Sequence, residues 1–346
     1  MKAARIARDG SLELAEVPAP TVGSHEVVVR LAACGICGTD LEKLRGNYRT
    51  AGILGHEAVG RLEAVGAEVE GLSVGDRVFA HHHVACGHCL VCRRGDATFC
   101  PSYAATNLDP GGFAESFRVP EANVRAGAIL PLGDRVDWES GTLLEPAACA
   151  FTALRRIGLP EGASVFVAGL GPVGLLYQRV AKAAGAGWIG GSELSERRRQ
   201  AAERGGADLT LDAADPDRAA QQVRAATDGV GVDLAVAATG APGALALAAR
   251  TVRRGGTINL FGLPEPGSRL DLDLQALYLS GVRLVPTYAT TEPDLAAVHA
   301  LLSEGRLQVH DLVTDRFNLP SIDAAFRKAR QPSEALKVVV TGPAYP

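Results

Sequence analysis

Ser164-Val165-Phe166-Val167-Ala168-Gly169-Leu170-Gly171-Pro172-Val173-Gly174 decides the architecture of this chain. An apolar run of strand length is followed by glycines in the pattern G-x-G-x-x-G, and an Ala-rich helical pattern then runs from Val173 to Ala184. A glycine turn between a strand and a helix lets backbone N–H groups approach a pyrophosphate at the helix N-terminus, so Gly169 to Gly174 reads as a dinucleotide cradle. Nineteen residues beyond Gly174, after the apolar segment Trp188-Ile189-Gly190-Gly191, stands Glu193. A carboxylate there accepts hydrogen bonds from the adenosine ribose hydroxyls and repels a 2′-phosphate, which favours NAD over NADP. Arg197-Arg198-Arg199 is the counterweight: Arg198 is counted with the cofactor-binding residues, and the triplet reads either as a phosphate clamp or as a solvated helix face.

Working outward, Asp233-Leu234-Ala235-Val236-Ala237-Ala238 and Gly256-Thr257-Ile258-Asn259-Leu260-Phe261 repeat the buried-strand signature, each after a helix-like stretch. Strands alternating with helices specify a doubly wound parallel sheet, here over residues 151–284. Residues 1–150 differ, with short Val-rich runs such as Glu26-Val27-Val28-Val29-Arg30-Leu31 and Gly75-Asp76-Arg77-Val78-Phe79 that read as strands of an irregular β domain. After Leu284 the pattern gives helices over 294–304 and 321–329 and a strand at 337–341.

The length of 346 residues favours two domains. A net charge of −4 without long runs of one sign argues against nucleic-acid binding. The N-terminal residues lack the apolar stretch of a signal peptide and no apolar run is long enough to span a bilayer, so the expected location is cytoplasmic, with no membrane partner. The seven cysteines are an odd number, and four lie between Cys86 and Cys100, which fits metal binding in a reducing compartment better than a disulfide framework.

Cys86, Cys89, Cys92 and Cys100 are spaced C-x2-C-x2-C-x7-C, so four thiolates from one loop can surround a tetrahedral ion. An iron–sulfur cluster is the rival, but the bacterial ferredoxin pattern places its fourth cysteine after three residues rather than seven. The reading is structural zinc, whose closed thiolate shell leaves no position for chemistry. A sparser set is Cys37, His56, Glu57 and Glu145. Each has an ordinary alternative: a lone Cys is a small hydrophobe, a lone His a satisfied structural residue, and Cys34 with Cys37 a possible redox pair. Gly35, Gly38, Gly55 and Gly60 around them permit the close turns that a site needs.

Taken in chain order, the Cys37 turn, Gly55-His56-Glu57-Ala58-Val59-Gly60, Gly75-Asp76-Arg77-Val78, the cysteine lobe, Glu145-Pro146 and the nucleotide turn resemble the zinc-containing medium-chain dehydrogenase/reductase family of alcohol, polyol and threonine dehydrogenases, over essentially the whole chain. The resemblance implies an α/β protein: a GroES-like β-rich catalytic domain, 1–150 completed by 285–346, with a Rossmann NAD-binding domain at 151–284. It also implies two zinc ions per chain, one structural and one catalytic. Cys37 and His56 are implied as catalytic ligands, Glu57 as an alternating or outer ligand, and Glu145 as the ligand that is Cys in some relatives. The implied activity is NAD-linked interconversion of a secondary alcohol, polyol or amino alcohol with its ketone, in a homodimer or homotetramer.

In that reading the ion lowers the pKa of a substrate hydroxyl and the nicotinamide takes a hydride. Thr39, two residues after Cys37, would pass the proton outward, its ordinary alternative being a turn residue bonding its own backbone. Many relatives end this relay with His five residues after the zinc Cys, where this chain has Glu42. His81-His82-His83 invites a metal reading, but consecutive residues on a strand face opposite ways and cannot all reach one ion, so one or two of these imidazoles are expected to line the substrate cleft instead. Cys149 is expected in the core, and Trp138 and Tyr48 are candidates for substrate contact. Two alternatives remain: a zinc-free quinone or enoyl reductase, which has neither metal set, and a non-enzymatic zinc-binding protein, which leaves the nucleotide turn without a purpose.

Overall fold

A computed structural model describes residues 1–7, 9–46, 54–269, 273–331 and 333–346. The chain divides into two compact units, one formed by Met1–Ala148, Thr290–Gln331 and Ala335–Pro346, the other by Cys149–Ala289 with Pro332–Glu334.

In the first unit a seven-stranded sheet runs in the order Val313–Asn318, Lys337–Thr341, Val27–Gly35, Glu57–Val65, Arg77–Ala80, Ile129–Pro131, with Ser116–Val119 also paired to Val27–Gly35. Only the pair Val313–Asn318 and Lys337–Thr341 is parallel. Val27–Gly35 is buried along both faces apart from Arg30, so it reads as a continuous apolar run instead of an alternating one. Its side chains pack with Phe113, Phe117 and, from the returning C-terminal helix Ile322–Ala329, Phe326. Phe113 and Phe326 meet edge to face at 5.6 Å, which joins the N-terminal strands to the C-terminal segment through one core.

The second unit is a six-stranded parallel sheet in the order Leu209–Asp212, Trp188–Glu193, Ser164–Ala168, Val232–Ala237, Val252–Leu260, Arg283–Pro286. The connection reverses direction between Ser164–Ala168 and Val232–Ala237, a switch point of the kind at which doubly wound sheets bind ligands. Helices Pro172–Ala183, Pro216–Ala226 and Pro242–Thr251 each begin with a proline, whose fixed φ and missing N–H suit the first helical turn. Gly169, immediately after the strand, has φ +96, a left-handed conformation costly to any residue with a Cβ. Strand Arg283–Pro286 pairs with Val252–Leu260 and so keeps residues 283–286 with this sheet.

Two expectations change here. Cys149 is half-buried on helix Leu144–Ile157 rather than in the core. Trp138 is buried beneath the guanidinium groups of Arg77, at 4.3 Å, and Arg61, at 5.5 Å, so its ring face is used in packing rather than by a substrate. Tyr48 lies outside the described residues.

Candidate active site

The cysteine lobe is the simplest site. Four sulfurs at a zinc–sulfur distance of 2.3 Å on a tetrahedron stand about 3.8 Å apart. The Sγ separations are 3.4 Å for Cys89–Cys92, 3.6 Å for Cys86–Cys100, 3.8 Å for Cys89–Cys100 and 3.9 Å for Cys86–Cys92. Backbone N–H groups of Cys89 and Cys92 donate to the sulfurs of Cys86 and Cys89, each at 3.4 Å. Hydrogen bonds from the Cys86 backbone and the Ser102 hydroxyl bring the Cys100 thiol down to about 6, whereas burial and its neighbouring thiols push Cys92 up to about 12. One sulfur already favours the thiolate in a cage shaped for a cation.

The second set is assembled by strand pairing. Gly35, at the end of Val27–Gly35, stands opposite Glu57, at the start of Glu57–Val65. The chain continues two residues past Gly35 to Cys37, which caps the short helix Gly38–Leu44, while Gly55 with φ +81 directs the approach to His56. A Cβ at Gly55 would stand 2.7 Å from the Phe113 nitrogen, so no other residue fits. The ligand atoms of Cys37, His56 and Glu57 consequently lie within 4.8 Å of one another. His56 and Glu57 are buried.

Behind this set lies Asp40, fully buried. Its Oδ1 accepts from the Gly55 N–H at 3.0 Å and faces His56 Nδ1 at 3.6 Å, and its Oδ2 accepts from the Cys37 N–H at 3.0 Å. Burial alone would raise its pKa, but His56 and the Gly55 N–H hold it below the usual value. Burial would likewise depress His56, yet the charges of Asp40 and Cys37 lift it well above 6.5. A carboxylate behind a ligating imidazole is the arrangement that fixes its tautomer and raises its basicity. Glu57 forms an ion pair with Lys337, both completely buried. Burial raises the Glu57 carboxyl while the Lys337 charge opposes it.

Glu145, buried in the first turn of Leu144–Ile157, falls into a third group: its carboxylate lies within 4.8 Å of ligand atoms of His81 and His82, and its charge also acts on Glu57. The alternation expected for His81-His82-His83 does not apply, because strand Arg77–Ala80 ends one residue earlier and the chain beyond it is irregular. His56 and His82 ring centroids are 4.8 Å apart. His83 points elsewhere, with Nδ1 2.5 Å from the Thr106 carbonyl oxygen, and burial brings its pKa down to about 4. Thr39 is half-buried in the first turn after Cys37, and Glu42, one turn on, is bonded to Arg45 at 2.5 Å.

In the second unit Glu193 ends strand Trp188–Glu193, and its carboxylate accepts from the N–H groups of Leu170 at 3.1 Å, Leu194 at 2.9 Å and Ser195 at 3.2 Å. Arg198 Nη1 lies 3.6 Å from Glu193 Oε2 and would be 3.7 Å from a Cβ at Gly171. The arginine triplet thus divides into three roles: Arg197 is exposed, Arg198 lies over the glycine turn, and Arg199 donates to the carbonyls of Glu193 and Leu194 at 2.7 and 2.8 Å. Sequence reasoning passed over Asp40, Lys337 and the convergence of His81 with His82. The available signals were an acid three residues after Cys37, as in a capping box, and a lysine inside the apolar run that closes the chain.

Among the described residues no helix is long and apolar enough to cross a membrane. Residues 23–137 match the family described as alcohol dehydrogenase GroES-like domain, and residues 172–304 match that described as zinc-binding dehydrogenase. The chain is 33% identical to a sorbitol dehydrogenase of Bacillus subtilis (strain 168), over 98% of this chain and 97% of that one. It is 34% identical to an L-threonine 3-dehydrogenase of Pyrococcus furiosus, over 95% and 93%. Among solved structures, the alcohol dehydrogenase TADH from Thermus sp. ATN1 superposes with a TM-score of 0.88 at 30% identity, over 99% of this chain and 100% of that chain.

Proposed function

The chain belongs to the zinc-containing medium-chain dehydrogenase/reductase family, and from that premise we propose that it interconverts a secondary alcohol, most favourably a polyol, with its ketone, using zinc and NAD. The observation that carries this reading is the convergence of a thiolate, an imidazole and a carboxylate from Cys37, His56 and Glu57 at one buried point, with His56 backed by Asp40. Thiolate, imidazole and carboxylate are a donor set suited to zinc, and Glu57 Oε1 carries no hydrogen bond among the described residues. Cys37, His56 and Glu57, together with Glu145, would hold the catalytic ion, and the four cysteines the structural one. When bound, zinc supplies Lewis-acid polarisation of a hydroxyl and the nicotinamide accepts hydride.

The chain's own groups do the rest. Asp40 fixes the His56 ring. Thr39 takes the substrate proton, and Glu42 or water receives it at the surface of the helix. The polar lining given by His82 and Glu145 suits a substrate with several hydroxyls better than a plain hydrocarbon alcohol. Glu193, at the glycine turn, supports NAD over NADP because its negative charge opposes a 2′-phosphate and offsets Arg198. Exposed Leu274, Tyr278 and Leu279, on the helix that precedes Arg283–Pro286, the terminal strand of the six-stranded sheet, support a homodimer or homotetramer formed through this edge. The zinc-free reductase alternative has no use for either donor set.

The test is NADH absorbance with a panel of polyols, simple secondary alcohols and L-threonine, for the wild type and for Cys37→Ala. Polyol oxidation that disappears in Cys37→Ala, with one zinc fewer per chain and an unchanged circular dichroism spectrum, is the expected outcome. Activity surviving in Cys37→Ala would overturn the assignment. Thr39→Val is expected to lower kcat by two orders of magnitude or more, as loss of a proton-transfer group does, with zinc content unchanged.

A further inference from the structure

His81 is fully buried, and its Nδ1 is 3.0 Å from Glu292 Oε1, while its Nε2 has no hydrogen-bond partner among the described residues. This is the pattern of a ligating histidine: an outer carboxylate fixes one ring nitrogen and leaves the other bare and basic. His82 likewise has a buried Nδ1 without a partner. The backbone carrying both rings is pinned by the fully buried Asn123, whose Nδ2 donates to the carbonyl oxygens of His81 at 2.8 Å and His82 at 3.0 Å. A buried polar atom is normally satisfied, so two unpartnered ring nitrogens on neighbouring members of one His/Glu cluster, among the described residues, need a reason.

We propose that His81, His82 and Glu145 form a second divalent-cation station beside the Cys37, His56 and Glu57 set, so that the chain takes up three ions rather than two. The three ligand atoms lie within 4.8 Å of one another, and two imidazoles with one carboxylate are a sufficient protein set for zinc or a neighbouring transition metal. The stations adjoin, since the His56 and His82 rings are 4.8 Å apart. Glu145 serves both: one oxygen stands with His81 and His82, and its charge acts on Glu57.

The total of three rests on the reading that the four cysteines and the Cys37 set each take one ion, so the third ion is read by its own cobalt absorption as well as by the count. The purified enzyme is equilibrated with rising zinc, and bound metal is counted by mass spectrometry. Saturation at three per chain is expected for the wild type, and at two for His81→Ala and His82→Ala. Glu292→Gln, which keeps the hydrogen bond and removes the charge, should weaken the third ion 10–100-fold. With cobalt in place of zinc, the third equivalent should add d–d absorption without thiolate-to-metal charge transfer, and Cys37→Ala should retain it. A wild type that saturates at two, both ions showing thiolate-to-cobalt charge transfer, overturns the proposal, as does a His82→Ala enzyme that still binds three; a count of two with one ion free of that band supports this station and faults the Cys37 ion of the proposed function instead. A count of two in His82→Ala with a shifted thiolate-to-cobalt band from the Cys37 ion also overturns it, because His82 would then be a further ligand of that ion. The wild-type titration decides the matter even if a variant fails to fold.

Discussion

Replacing Asp40 by Asn separates its two roles. Its carboxylate receives the N–H groups of Gly55 and Cys37 and faces His56 Nδ1, all inside a fully buried site. An amide has one acceptor atom instead of two. If Asn keeps its oxygen at the Oδ1 position, toward Gly55 and His56, its NH2 points at the Cys37 N–H, donor against donor. One buried N–H is then orphaned, at a cost to folding of about 1–3 kcal/mol. Separately, His56 loses the negative charge behind it, and loss of such a partner weakens metal affinity by 10–100-fold, about 1.4–2.8 kcal/mol. The assays are chelator competition for the metal and urea denaturation of the metal-free protein for the fold. Cobalt exchanged into the Cys37 site alone, with zinc kept at the four cysteines, supplies the control: persistent thiolate charge transfer then shows that Cys37 still ligates, so the lost affinity belongs to His56. Zinc affinity within twofold of wild type, alongside the expected loss of stability, would refute the idea that Asp40 orients the ligand and leave it as a brace for the Cys37 turn.

Lys337→Met removes the partner of a completely buried carboxylate, and breaking a buried pair from one side costs about 3–5 kcal/mol; urea denaturation that moves by less than 1 kcal/mol would show that Glu57 is neutral in the folded protein. Glu193→Gln keeps a polar side chain at the nucleotide turn but deletes its charge, so the ratio of kcat/KM for NADP to that for NAD should rise by about tenfold or more, the scale of one charged hydrogen bond; an unchanged ratio would take Glu193 out of cofactor selection. Asp233 accepts from the Ser164 N–H and hydroxyl, each at 2.8 Å, and from Arg253 at 2.7 Å, tying together the two strands that flank the switch point. Burial opposes its ionisation, but these donors hold its pKa below 3.8, so its contribution is fully present above that value and is lost as pH falls through the lowered folded-state pKa. Asp233→Asn should therefore cost about 1–3 kcal/mol at pH 7 and flatten the acid limb of the stability profile below pH 4; a variant with an unaltered acid limb would assign that limb to other carboxylates.

What the sequence reveals follows from how far apart the interacting groups lie along the chain. The cysteine lobe was legible because its ligands sit within fifteen residues. The central strands Ser164–Ala168 and Val232–Ala237 were legible because burial on both faces writes them as apolar runs. Edge strands Leu209–Asp212 and Arg283–Pro286 are mostly half-buried or exposed and carry no such signature. The Cys37 set was reachable only through resemblance, since the pairing of Gly35 with Glu57 that assembles it is a tertiary fact. His81 shows the same limit more sharply: its partner Glu292 is 211 residues away, and the alternation rule misled because the strand stops at Ala80. Lys337 marks the boundary between the two cases. An ammonium inside the run Leu336-Lys337-Val338-Val339-Val340 cannot be buried without a counter-charge, so the sequence alone requires that an acid lie nearby. Which acid is decided by register: Gly35 pairs with Val339 on one side and with Glu57 on the other, and that double pairing sets the lysine against the carboxylate beside Cys37 and His56.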